Sequence, residues 1–344
     1  MDFSWIAISF TAIGGIAVAI LATLDRLLPP DLLNSAIRMQ TGSTRTVRQL
    51  GGTAIIFCLI FSAIFMKLSG SYASKGNALL HMLSGAIIIW CVGLIDDMRQ
   101  IQPIAKLAFQ TGTGLFLGLM LAPDIELVGG ALPPWLRALF IALAFVSFMN
   151  MVNFMDGLDL MTAIGSGIPL LGASLLLLTF DAGDLAGQMG LVCVAALAGF
   201  SLFNLPPARM YLGDNGSLLI GFCAAYVALH VWSNVSPVAA VLLFLYYFID
   251  TATSLVLRWR RGDNLLQPHA EHAYQHARKA GWSEWRIVGR VAVANSCLAM
   301  LAFLSADARP GVALACAMAG LTVAVLLVRE LRADAQSRSD ETEA

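Results

Sequence analysis

Eleven stretches of this chain are long and apolar enough to cross a lipid bilayer, and that constrains its fold more than any other feature. They run at about 3–24, 50–70, 79–96, 104–122, 135–155, 160–180, 186–204, 211–232, 236–257, 286–305 and 310–328. A bilayer core takes roughly 20 apolar residues per helix. Composition points the same way. Of 344 residues, 58% are hydrophobic and 12% charged, against about 25% charged in a soluble domain. The expected fold is all-α: a polytopic bundle of about 11 transmembrane helices over 1–330, followed by a polar tail over 331–344. No soluble domain fits between the spans. The net charge of −1 gives no basic field for nucleic acid. The six cysteines all lie in apolar stretches without a Cys-x-x-Cys pair, so they read as packing residues. Residues 3–24 lack a basic leader and read as a retained span.

Orientation follows from the scarce basic residues. Of 21, 17 fall in one set of connections and the tail, and 4 in the other set. The excess marks the cytoplasmic side. The N-terminus is then outside and the C-terminus inside.

The carboxylates cluster on that same side. Asp96 and Asp97 end the third span. Asn150, Asn153, Asp156 and Asp159 close the fifth, Asp214 opens the eighth, and Asp250 lies near the end of the ninth. A carboxylate at the membrane boundary is costly unless paired, hydrated or bound to a metal. Any one of them reads as an interfacial cap, but four clusters on one face read as a shared polar site. Asn150 and Asn153 project from neighbouring turns of one helical side. Asp214, between Gly213 and Gly216, sits at a helix entrance that suits phosphate on its N–H groups and Mg²⁺ on its carboxylate. Hard oxygen ligands favour Mg²⁺ or Mn²⁺ over zinc. The last large loop, about 258–285, carries Arg261, His269, His272 and His276. His272 and His276 have zinc-like spacing, but no His-Glu-x-x-His accompanies them. Arg261 reads equally as a cytoplasmic anchor or a phosphate partner.

These motifs, in this order, resemble the polyprenyl-phosphate N-acetylhexosamine-1-phosphate transferase superfamily, which includes phospho-MurNAc-pentapeptide translocase and GlcNAc-1-phosphate transferases. The match runs from Asp31 and Asn34 through Arg48-Gln-Leu-Gly-Gly52 and Asp96-Asp97, with Lys106 and Gln110 downstream. It continues with Asn150, Asn153-Phe-Met-Asp-Gly-Leu-Asp159 and Gly213-Asp-Asn-Gly-Ser217. It ends with Asp250-Thr, Arg261-Gly262 and His269-x-x-His272. The His272-Ala-Tyr-Gln275 run is similar to the branch that starts O-antigen with N-acetylated 6-deoxyhexoses such as FucNAc or QuiNAc.

The resemblance implies transfer of HexNAc-1-phosphate from a UDP-sugar to undecaprenyl phosphate with release of UMP, in a bacterial inner membrane with the site facing the cytoplasm. It implies Asp214 as the Mg²⁺ ligand with Asp156 nearby, and Asp96, Asp97, Asp156 and Asp159 as the catalytic carboxylates. Arg48, Lys106, Asn150, Asn153, Arg261, His269 and His272 would bind substrate, and a homodimer is compatible with it. Direct attack and a covalent aspartyl intermediate both remain open. Two departures stand out: Leu160 follows Asp159 where the family has glycine, and Thr46-Val-Arg48 replaces a Thr-Pro-Arg-like segment. The rival readings are a secondary transporter with a carboxylate-lined site and a catalytically degenerate family member.

Overall fold

The computed structural model describes residues 3–29, 32–38, 44–69, 76–127, 131–182, 184–265, 267 and 269–343. Asp31 of the motif series lies outside them. The first half of the bundle holds α1 (Phe3–Leu27), α2 (Gly51–Leu68), α3 (Gly76–Arg99), α4 (Pro103–Leu121), α5 (Pro134–Met155), α6 (Met161–Gly165) and α7 (Gly167–Thr179). The second holds α8 (Asp184–Asn204), α9 (Asp214–Asn234), α10 (Pro237–Leu243), α11 (Leu245–Arg261), α12 (Ala273–Lys279), α13 (Glu284–Ala306) and α14 (Pro310–Glu343). Among the described residues, ten helical stretches are long and apolar enough to span a bilayer. The pair α10–α11, bent by 67°, makes an eleventh if it is one span. The chain is therefore an all-α, multi-pass membrane bundle.

Helix α9 is its axis. After Asp214 it carries no acidic or basic residue except His230, and a helix apolar all round belongs inside. It is buried along most of its length and packs against α2, α3, α5, α7, α8 and α10. Phe222 meets Phe145 of α5 with ring centroids 5.0 Å apart. The peripheral helices instead turn large apolar side chains outward, such as Phe57, Phe61 and Phe65 of α2, as lipid contact requires.

A small sheet departs from the sequence expectation, which read residues 25–49 as a plain connection. Strands β1 (Asn34–Arg38) and β2 (Thr44–Gln49) pair antiparallel, and β3 (Met210–Tyr211) joins β2 in parallel. The β-branched pair Thr46-Val47 carries the signal, with Thr46 exposed and Val47 buried as strand alternation demands. The sheet matters because β3 runs directly into the start of α9. Helix α14 is continuous through the polar segment to Glu343, which keeps Arg332 on a rigid element.

Candidate active site

The first turn of α9 is held from three sides. Asp97, near the end of α3, accepts hydrogen bonds from the backbone N–H of Asp214 (2.8 Å) and of Asn215 (3.0 Å), and from the Asn215 side chain (2.5 Å). A carboxylate on the free N–H groups of a helix start satisfies both donors and the helix dipole. From the sheet, the Gln49 carbonyl accepts from the Asn215 side chain (3.1 Å), and Gly52 N–H donates to the Leu212 carbonyl (3.1 Å). The approach is close enough to exclude any side chain at two glycines. A Cβ on Gly93 would lie 2.5 Å from the Asn215 nitrogen, and one on Gly52 would lie 2.1 Å from the Asn215 side-chain oxygen.

The Asp214 carboxylate, thus positioned, meets two more elements. Lys106 of α4 bridges it to Asp96, the latter at 2.8 Å. Asn153 of α5 donates to Asp214 (3.0 Å) and to Ser217 (2.9 Å). Asp96 also accepts from Ile101 N–H at 2.6 Å, closing the turn between α3 and α4.

Helix α5 ends at Asp156, whose carboxylate accepts from Thr162 of α6 at 2.6 Å. Asp156 keeps some surface toward a cavity but is enclosed by protein. Burial pushes its carboxyl well above the usual range, and the charges of Asp214 and Asp97 add to that. Asp159 accepts from Ala208 N–H at 2.8 Å and ties this turn to the segment before β3. Asn204 completes the tie, accepting from Leu160 N–H (2.7 Å) and donating to the Met210 carbonyl (2.8 Å). The result is a cavity of about 470 Å³, lined by Asn153, Asp156, Asp159 and Asp214, with Gln49 and Tyr211 from the sheet, Arg278 from the last turn of α12 and Glu284 from the start of α13.

The match to known proteins falls on these elements. Residues 79–232 match the model of glycosyl transferase family 4. Over that segment the chain is similar to glycosyl transferase family 4. Similar relatives include a phospho-N-acetylmuramoyl-pentapeptide-transferase of Latilactobacillus sakei, 27% identical over 69% of this chain and 78% of its own. One of the same name from Staphylococcus aureus is 29% identical over 70% of this chain and 78% of its own. A Bacillus subtilis protein named "Probable undecaprenyl-phosphate N-acetylglucosaminyl 1-phosphate transferase" is 25% identical over 68% of this chain and 66% of its own.

The family match contains Asp96, Asp97, Lys106, Asn153, Asp156, Asp159 and Asp214, which the fold brings together. Asn150 stands one turn deeper and donates to Gln110 (2.7 Å) and the Val146 carbonyl. Arg48 does not reach the cavity. Its guanidinium donates to the carbonyls of Asp25 (2.7 Å) and Leu28 (3.3 Å) and pairs with the Asp25 carboxylate, pinning β2 to the end of α1. A cation suits the free carbonyls at a helix C-terminus.

The histidine loop forms a second cluster. His272 stacks with each of Phe154, His269 and Tyr274, and the Tyr274 hydroxyl donates to the Phe154 carbonyl at 3.0 Å beside Gly157. His272 caps α12 and lies near Asp250 (3.8 Å), and its buried imidazole is pushed down to about 3 by desolvation and by cationic neighbours. Arg332 of α14 donates to the Ser254 hydroxyl and the Glu271 carbonyl, both at 2.7 Å. Arg261 is exposed and pairs with Asp263 (2.8 Å) and Glu271 (2.5 Å) away from the cavity lining. The sequence reading did not single out Thr162, Asn204, Arg278, Glu284 or Arg332 as site residues, because single polar residues in loops and span ends carry no local pattern.

Among the described residues no three His, Cys, Asp or Glu side chains enclose a metal by themselves. Mg²⁺ is satisfied by one or two carboxylates with waters and substrate phosphates. Asp214 and Asp156, both oxygen donors lining one cavity, meet that requirement.

Proposed function

We propose that this protein transfers an N-acetylhexosamine 1-phosphate from a UDP-sugar to undecaprenyl phosphate and releases UMP. The sugar is GlcNAc or an N-acetylated 6-deoxyhexose such as FucNAc or QuiNAc. The step opens synthesis of O-antigen or another surface polysaccharide, at the cytoplasmic face of a bacterial inner membrane. The observation that carries this reading is the cavity at the ends of α5 and α9, where Asp156, Asn153 and Asp214 converge. The relatives named for sugar-phosphate transfer support the reaction class.

A phosphate monoester, with a second pKa of about 6, is mostly a dianion at neutral pH. The acceptor therefore needs little deprotonation. A P–O bond forms between its oxygen and the sugar-linked phosphorus, and the bridging P–O bond breaks to release UMP. The obstacle is repulsion between anions. Mg²⁺, or Mn²⁺ in its place, supplies charge neutralisation when held by Asp214 and Asp156. Lys106 and Asn153 fix the Asp214 carboxylate, Thr162 fixes that of Asp156, and Asp97 holds the helix start that carries Asp214. The histidine loop closes over the end of α5 through Tyr274.

Purified protein is incubated with undecaprenyl phosphate, Mg²⁺ and a panel of UDP-sugars, and the released nucleotide is identified. UMP is expected; UDP overturns the reaction. Asp214→Asn is expected to abolish transfer while the protein melts as the wild type does. Substantial transfer at saturating Mg²⁺ would remove Asp214 from the metal site.

A further inference from the structure

The charges around the cavity are unevenly distributed. Asp156, Asp159, Asp214 and Glu284 line it, and Arg278 is the one cation among the described lining residues. A nucleotide diphosphate brings further negative charge to the same place. Lys106, adjacent through Asp214, is already shared between two carboxylates. Arg278 is held differently. It stands in the last turn of α12, about half exposed, and pairs with Glu284 at 2.8 Å. Glu284 is the mostly covered first residue of α13, on a helix start fixed by Ser283, and it also feels the charge of Asp159. The carboxylate is therefore anchored, while the guanidinium ends a long flexible side chain at the cavity rim. A partly exposed ion pair of this kind is weakly held. A guanidinium on phosphate makes two parallel charge-assisted hydrogen bonds.

We propose that Arg278 is a donor-binding residue and that Glu284 is its resting partner: on binding, the guanidinium exchanges Glu284 for the diphosphate of the nucleotide sugar. The proposal rests on the sugar-phosphate transfer reading for the identity of that ligand. It differs in sign from a simple brace between α12 and α13, for which loss of either partner has the same effect.

The test is the calorimetric affinity for UDP in the presence of Mg²⁺, which needs no turnover, with thermal melting alongside. Arg278→Ala is expected to weaken UDP binding about tenfold, and Arg278→Lys to recover part of it. Glu284→Gln removes a competing partner and a negative charge, so it is expected to tighten UDP binding several-fold. Equal UDP affinity in wild type and Arg278→Ala overturns the proposal, and so does a shift of both variants in the same direction. The reaction reading is tested separately: a wild type that binds UDP but releases no UMP from any UDP-sugar sinks that reading and leaves the Arg278 result standing.

Discussion

Leu160 holds a backbone conformation that its side chain disfavours. Its φ of 63° lies in the left-handed region, while the side chain is buried. The turn after Asp159 takes a conformation that glycine adopts without steric cost, and this chain makes it with a leucine. An L-residue there costs about 1–2 kcal/mol, and burial of a leucine side chain returns about 1.5–3 kcal/mol. The two nearly cancel. Leu160→Gly is therefore expected to shift the melting temperature little, whereas Leu177→Ala, in the middle of α7, costs about 2–5 kcal/mol. Equal losses would show that the turn carries no strain. A second expectation concerns His272, which faces Asp250, His269, His276, Arg258 and Arg332. Its folded value of about 3 lies below the ordinary 6.5. Between those values the unfolded chain binds a proton that the folded one refuses. Its contribution to stability is thus complete above about pH 6.5 and falls as the solution is acidified toward pH 3. Melting curves between pH 7 and pH 5 should fall less steeply for His272→Gln than for the wild type; equal slopes would contradict this.

At the scale of elements, the site depends on how closely α3 approaches the start of α9. Gly93→Ala would drive a methyl into the Asp214–Asn215 backbone. Overpacking of this kind costs about 1–3 kcal/mol. A lower melting temperature and loss of transfer are expected together, because the displaced backbone carries Asp214. Gly112→Ala on α4, which meets nothing within 4 Å, is the control and should change neither. The spans were legible in the sequence because apolar length is a local property. The convergence of Asn153, Asp156 and Asp214 was legible because each closes or opens a span. What escaped was anything whose meaning lies in a distant partner. Arg332 reads in sequence as one more cytoplasmic charge, yet its guanidinium reaches the Ser254 hydroxyl of α11. Arg48 sits in a motif-like segment, yet it serves the end of α1. The hairpin of β1 and β2 was missed because short strands against a helical background leave only a brief alternation.

For the whole molecule, the division of basic residues makes a statement about sidedness that labelling can check. All six native cysteines lie within membrane-spanning helices, so an added surface cysteine is distinct. Arg260→Cys, exposed at the end of α11, should react with a membrane-impermeant maleimide in inverted vesicles and not in right-side-out ones. Arg309→Cys, between α13 and α14, should do the reverse. Identical labelling from one side would refute the proposed orientation. The parallel pairing of β2 with β3 has a further consequence for biogenesis. Chains emerge from the ribosome N-terminus first, so β2 is made well before its partner, which follows only after α2 to α8. During that interval its outer edge is unpaired, while β1 pairs its other edge and Arg48 ties it to the end of α1. The helix start that carries Asp214 is thus the product of a late docking step. A nascent chain stalled before Met210 would have inserted most of its helices and yet have no catalytic centre.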